Sequence, residues 1–137
     1  MKKIEHIGIA VKDLEEANTT YAALLGAENY KTETVESEGV STSFFKIGES
    51  KIELVAATNE NSPVAKFIAK RGEGIHHMAF AVDDIEAEIK RLEAKGFQLI
   101  SKEPKKGADN KLVAFLHPKS SNGVLVELCQ EAPARPS

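Results

Sequence analysis

The chain carries one sequence pattern twice. Residues 4–17, IEHIGIAVKDLEEA, align without a gap on residues 75–88, IHHMAFAVDDIEAE, at a constant offset, since 77 − 6 and 84 − 13 are both 71. Histidine aligns with histidine, aspartate with aspartate, and the apolar positions with one another. A period of about 70 residues is too long for a solenoid repeat, so the pattern predicts two similar modules, related by a pseudo-two-fold axis, whose sheets complete each other.

Each module is predicted to begin with a strand that leads into a helix. Asp13 and Asp84 are good helix N-caps, apolar residues then recur at helical spacing, and Gly26 and Gly96 mark the helix ends. Further strand-like stretches are separated by turn residues and lie at residues 40–48, 51–57, 96–100, 111–118 and 123–129. These patterns favour an α+β fold in which each half begins strand then helix and continues in strands.

A short helix is predicted between the two modules. Ser62 is its N-cap, Pro63 occupies the first helical position, and Gly72 ends it. We therefore expect one domain at residues 1–132, with module one at about 1–58, the linker helix at about 62–72 and module two at about 73–132. The polar, proline-containing residues 133–137 are expected to be disordered.

Composition excludes several classes of function. The formal net charge is −3 and lysines are interspersed with acidic residues, so we expect no nucleic-acid partner. The single cysteine, Cys129, leaves no internal disulfide and no thiolate metal cluster. No apolar signal core follows the first residues and no apolar run approaches the length of a membrane span, so we expect a cytoplasmic protein without a membrane partner.

Alternation along the two repeated strands separates a bulky face from a histidine face. His6 shares a face with Gly8, and His77 shares the equivalent face with Ala79, so small residues leave room beside each imidazole. The opposite faces carry bulky residues that suit packing under the helices. His76 lies on a bulky face near the strand start, where a half-exposed imidazole needs no function.

Alternation also assigns two glutamates on later strands to the face opposite their apolar neighbours. Glu53 and Glu127 each lie mid-strand between apolar neighbours, where an unpaired charge would cost several kcal/mol. A cation would remove that cost. One histidine and one carboxylate from each module, His6, Glu53, His77 and Glu127, therefore predict a four-ligand site for a divalent metal with open positions for water or substrate.

Other residues with reactive side chains have simpler interpretations. His117 ends a strand before a proline, where capping of the turn is sufficient explanation. Cys129 is interpreted as a small buried hydrophobe, although it could border the site. The lysines of the segment 102–111 are interpreted mostly as a solvated loop.

The motifs HIGIAV, IELV, GIHHMAFAVDDI and FLHPKSSNGVLVEL resemble the vicinal oxygen chelate superfamily and, within it, the methylmalonyl-CoA epimerase family. The resemblance covers nearly the whole chain. It implies a glyoxalase-like fold, in which two tandem βαβββ modules form a cupped eight-stranded mixed sheet, usually in a homodimer. It also implies a divalent ion, cobalt or manganese first and zinc, nickel or magnesium as alternatives, held by His6, Glu53, His77 and Glu127.

The resemblance implies an acyl-CoA substrate and an epimerase that removes and returns one α-proton. Glu127 is then the first candidate for a catalytic base, and its symmetry mate Glu53 is the next candidate, for the opposite face. Some epimerases have glutamine where this chain has Glu53, and some carry an additional carboxylate where this chain has Thr42.

Three other functions of the same fold remain open at this stage. A glyoxalase I-like lyase uses similar ligands and similar enediolate chemistry on a hemithioacetal. An extradiol dioxygenase needs iron held by two histidines and one carboxylate, so a fourth ligand disfavours it. A metal-free binding protein would lack the ligand set. Within the epimerase interpretation, Lys119 or the pair Lys105–Lys106 could meet the phosphates of coenzyme A.

Overall fold

The computed structural model describes residues 1–131 of the 137-residue chain. The predicted disorder at residues 133–137 lies outside the described residues. No helix in the described range is long and apolar enough to cross a bilayer.

Within residues 1–131, eight strands and three α-helices follow the order expected from the repeat. They are β1 Lys3–Ala10, α1 Leu14–Leu25, β2 Lys31–Val35, β3 Val40–Ile47, β4 Ser50–Ala57, α2 Pro63–Arg71, β5 Gly74–Ala81, α3 Ile85–Ala94, β6 Lys105–Gly107, β7 Lys111–Leu116 and β8 Val126–Glu131. The strands form one mixed sheet in the order β2-β3-β4-β1-β5-β8-β7-β6. The predicted fold class, α+β with two βαβββ modules and an eight-stranded mixed sheet, is confirmed.

The two modules pair their strands in the same register. Strand β1 runs parallel to β4 with Gly8 opposite Glu53, and β5 runs parallel to β8 with Ala79 opposite Glu127. Ala79 is the repeat equivalent of Gly8, because 8 + 71 is 79. The antiparallel meanders β2-β3-β4 and β6-β7-β8 complete the two modules. The repeat in sequence is therefore also a repeat in strand pairing.

The predicted helix caps are present in both modules. Asp13 Oδ1 accepts a hydrogen bond from the backbone N–H of Glu16 at 3.1 Å, and Asp84 Oδ1 accepts one from Ala87 at 3.1 Å. Gly26 ends α1 in the left-handed region at φ 75°, which a glycine adopts without a steric penalty. Each aspartate pairs a backbone N–H that the helix itself leaves unpaired, and the N–H of Gly26 donates to the carbonyl of Ala22 at the other end of α1.

The linker helix α2 also forms as predicted. Ser62 Oγ accepts a hydrogen bond from the backbone of Val64 at 3.1 Å, Pro63 occupies the first turn, and Gly72 is the C-cap. The buried side chain of Val64 packs against Ala10 of β1.

The chain divides into two compact units. In the unit His6–His77, α1 packs on the strands around a core that includes Val11, Phe45, Leu54 and Ala56. The other unit combines Met1–Glu5 with the residues from Met78 onward. Its helix α3 packs on β7 and β8 around a core that includes Val82, Ile85, Ile89, Leu92, Leu116 and Leu128. Ile9 and Val11 of the first bulky face belong to the core under α1, and Val82 of the second belongs to the core under α3, as alternation predicts.

Two details of the second module differ from the predictions. The expected strand at residues 96–100 is wrong, because this segment makes only an isolated bridge from Leu99 to Leu116 while Phe97 and Leu99 pack under α3. The segment 102–111 is not only a solvated loop, because residues 105–107 form β6 against β7. Lys111 is buried, and its Nζ lies 3.2 Å from Glu131 Oε1.

Candidate metal centre

His6 and Glu53 form a buried pair within the unit His6–His77. His6 lies on β1 and Glu53 on the parallel neighbour β4, and His6 Nδ1 is 3.0 Å from Glu53 Oε2. The residues are 4% and 5% exposed, so water does little to solvate the carboxylate. A hydrogen bond from the imidazole stabilises it instead.

His77 faces His6 across adjacent strands. The two Nε2 atoms are 2.9 Å apart, and the rings are nearly perpendicular, with an angle of 89° and centroids 5.0 Å apart. His77 is buried as well. The structure therefore brings together three of the four predicted ligands, His6, Glu53 and His77, in one compact unit.

Gly8 provides the space that His77 occupies. A Cβ built on Gly8 would overlap the His77 imidazole, with the Nδ1 and Nε2 atoms at 2.5 and 2.6 Å. The prediction that a small residue leaves room beside the histidine is confirmed at this position. The contact depends on the absence of a side chain at Gly8, so glycine has a structural role here.

Glu127 lies in the other compact unit, on β8. It is buried at 7% exposure and is opposite Ala79 on β5 and Phe115 on β7. Its position on its own parallel strand pair matches that of Glu53, as the repeat predicts. Thr42 is buried on β3, in register with Val55 of β4 and Glu33 of β2.

His76 has contacts that strand alternation did not predict. Its Nδ1 lies 2.9 Å from His77 Nδ1, and its ring lies edge-on to Phe67 of α2 with centroids 4.9 Å apart. His76 is half-buried, as predicted, and its ring nevertheless contacts a predicted ligand. Alternation sorts Cβ directions, whereas a ring nitrogen lies further out, so the contact depends on side-chain rotation that the pattern does not encode.

The simpler interpretations of two other residues are confirmed. His117 Nδ1 accepts a hydrogen bond from the backbone of Lys119 at 3.1 Å and so caps the turn that follows β7. Cys129 is buried in a small apolar cluster with Ala79 and Val113.

The donor set of the buried cluster fits a divalent cation. Imidazole nitrogens and carboxylate oxygens together suit first-row ions such as cobalt, manganese and zinc. Two Nε2 atoms that face each other, beside a buried carboxylate, offer the lone pairs that such an ion requires. The cluster is therefore a candidate metal centre on chemical grounds.

Comparisons with known proteins agree with this geometry. The family model of the Glyoxalase/Bleomycin resistance protein/Dioxygenase superfamily matches residues 5–115. The chain is 44% identical over 130 residues to an ethylmalonyl-CoA/methylmalonyl-CoA epimerase of Cereibacter sphaeroides, and the match covers 93% of this chain and 97% of that protein.

Solved structures with the same fold include enzyme complexes. A methylmalonyl-CoA epimerase variant of Streptomyces coelicolor, in complex with 2-nitronate-propionyl-CoA, has a TM-score of 0.93 at 38% identity and covers 100% of this chain and 99% of that one. A methylmalonyl-CoA epimerase in complex with methylmalonyl-CoA and ammonium gives the same TM-score, identity and coverage.

Proposed function

The chain belongs to the Glyoxalase/Bleomycin resistance protein/Dioxygenase superfamily, and we propose that it is a metal-dependent epimerase that interconverts the (R) and (S) epimers of methylmalonyl-CoA. The observation that carries the proposal is the buried cluster of His6, His77 and Glu53, in a chain that is similar along nearly its whole length to methylmalonyl-CoA epimerases. An acyl-CoA thioester is therefore its substrate.

We propose His6, Glu53, His77 and Glu127 as the residues that hold a divalent ion. The burial of all four and the matched registers of Glu53 and Glu127 on their strand pairs support this set. Coordination through His6 and His77 would replace the hydrogen bond between their Nε2 atoms. Cobalt or manganese is the proposed native ion.

The chemical problem is the negative charge that develops when the α-proton leaves. A bound divalent ion supplies Lewis-acid stabilisation of that charge. Glu127 is proposed as the base that removes the proton on one face, and Glu53 as the group that returns one on the opposite face. Both carboxylates are buried, and a positioned carboxylate can take up and return a proton during the reaction.

The test measures exchange of the α-proton of the substrate with solvent. A single epimer of methylmalonyl-CoA is incubated in deuterium oxide with metal-replete protein, and the products are analysed by NMR. We expect both epimers, with deuterium at the α-carbon, because the returning proton comes from a carboxylic acid that exchanges with solvent.

The same preparation is offered the adduct of methylglyoxal and a thiol. Absence of α-exchange together with turnover of this hemithioacetal would reject the epimerase in favour of a glyoxalase-like lyase. A preparation that changes neither compound would support a binding protein. The His77→Ala variant is the matched control for contaminating activity.

The remaining features of the proposal are a homodimer, a cytoplasmic location and contact of the coenzyme A phosphates with Lys119 or with Lys105 and Lys106. The lysine contacts are testable by charge reversal at each position, which should raise KM and leave kcat nearly unchanged.

A further inference from the structure

His76 contacts the proposed ligand His77 through the ring nitrogen that does not face His6. The two Nδ1 atoms of His76 and His77 are 2.9 Å apart, whereas His77 Nε2 is 2.9 Å from His6 Nε2. Each nitrogen of His77 therefore lies within hydrogen-bond distance of another imidazole. The arrangement links the tautomer of each ring to that of the next.

The hydrogen bonds along this row have one consistent direction when the three rings are neutral and Glu53 is ionised. An ionised carboxylate only accepts, so His6 donates from Nδ1 to Glu53, and its Nε2 accepts from His77. His77 then carries its single ring proton on Nε2 and accepts at Nδ1 from His76.

Metal binding changes which ring nitrogen of His77 must carry the proton. A ligating nitrogen must offer its lone pair, so coordination through Nε2 requires the ring proton of His77 to move to Nδ1. The new Nδ1–H then requires an acceptor. His76 Nδ1 becomes that acceptor when the His76 proton moves from Nδ1 to Nε2, so the two rings together keep the same number of protons.

We infer that His76 is a positioning residue, which fixes the tautomer and ring orientation of His77 by accepting a hydrogen bond from its Nδ1 when a divalent ion is bound. This inference rests on the proposed metal site. The His76 ring is itself held edge-on by Phe67, at an interplanar angle of 71°, so the linker helix α2 sets its orientation.

The experiment compares three variants with the wild type, with Zn²⁺ as a diamagnetic probe. His76→Phe keeps a ring against Phe67 and removes both nitrogens, whereas His76→Gln supplies an amide oxygen as an acceptor. His117→Phe is the matched control, because it removes an imidazole whose described hydrogen bond only caps a turn.

Zn²⁺ affinity is measured by competition with a chelator. We expect His76→Phe to raise the dissociation constant about 10- to 100-fold, because loss of the group that orients a ligating histidine weakens binding by that factor. His76→Gln should recover part of the affinity, and His117→Phe should bind like the wild type. Nitrogen-15 NMR of the Zn²⁺-loaded wild type should show His77 protonated on Nδ1, with slow exchange of that proton.

Equal affinity of wild type and folded His76→Phe would overturn the inference and leave the metal site standing. A wild type that binds neither Zn²⁺ nor Co²⁺ would instead refute the proposed function, so the two failures are distinguishable. Should His76→Phe not fold, the wild-type spectrum decides, because His77 protonated on Nε2 in the Zn²⁺-loaded protein contradicts the inference.

Discussion

Replacement of Gly8 by alanine tests whether the His77 ring occupies the space that a Cβ would take. The new methyl group would lie 2.5 and 2.6 Å from the two ring nitrogens, whereas an ordinary contact begins at 3.4 Å. The Cε1 atom of the ring lies closer still, so the imidazole must withdraw by more than the 0.9 Å that the nitrogen distances alone require. Gly8 lies within β1, and its φ is outside the left-handed region, so the backbone itself accepts alanine.

The displacement has a cost in stability and a cost in metal affinity. Overpacking of a filled site costs about 1–3 kcal/mol in the free energy of unfolding. A metal site tolerates changes of about 0.2 Å in ligand distance, so a shift several times larger should weaken Zn²⁺ binding about 100-fold, or about 2.8 kcal/mol.

The assay is a double-mutant cycle of Gly8→Ala and His77→Ala in metal-free protein. Denaturant titration measures the free energy of unfolding of each variant. Gly8→Ala should destabilise the wild type by about 1–3 kcal/mol but should cost under about 0.5 kcal/mol in the His77→Ala background, because the ring it strikes is gone. Gly107→Ala is the matched control, since the three atoms nearest its Cβ all belong to the Val113 side chain and lie at 3.0 Å or more. Equal costs of Gly8→Ala in both backgrounds would refute the assigned contact.

Three further predictions concern the metal, the base and the helix caps. Dialysis against a chelator should abolish epimerase activity and Co²⁺ or Mn²⁺ should restore it; full turnover in metal-free protein, checked by elemental analysis, would exclude the mechanism. Glu127→Gln should lower kcat more than it changes KM, since it removes a group needed mainly in the transition state, and a change confined to KM would remove Glu127 from the bases. Asp84→Ala should lower the free energy of unfolding, measured by denaturant titration, by about 1 kcal/mol through loss of the α3 cap. Asp84→Asn should keep most of the wild-type stability, because asparagine is also a good N-cap.

The repeat explains why much of the site could be predicted from the sequence. Each module supplies one histidine and one glutamate, the histidines 71 positions apart and the glutamates 74 positions apart, so a pattern that is weak in one module is supported by the other. Glu53 and Glu127 also each stand between two apolar residues of a strand, so strand parity assigns the carboxylate to the face opposite those neighbours. Caps such as Asp13 depend on short-range hydrogen bonds and are predictable for that reason.

The features that were not predicted depend on long-range pairing or on rotamers. Strand β6 is three residues long and is defined by its partner β7, so Lys105 and Lys106 carry no strand pattern of their own. Leu99 packs under α3, and an apolar residue buried in this way gives the same sequence signal as a residue of a buried strand. The contact of His76 with His77 requires a particular ring rotation, and alternation describes only the backbone.

The parallel pairing of β1 with β4 bears on the order in which the chain folds. The meander β2-β3-β4 joins strands that are close in sequence, whereas β1 must close a loop of more than 40 residues before Gly8 reaches Glu53. Contacts of such long range form slowly, since the entropy of loop closure opposes them. We therefore expect His6 and Glu53 to meet late in folding, after most of the transition state has formed. A bound ion should then slow unfolding and leave the refolding rate nearly unchanged. The time that a molecule stays folded would therefore depend on the concentration of the metal ion, whereas its folding rate would not.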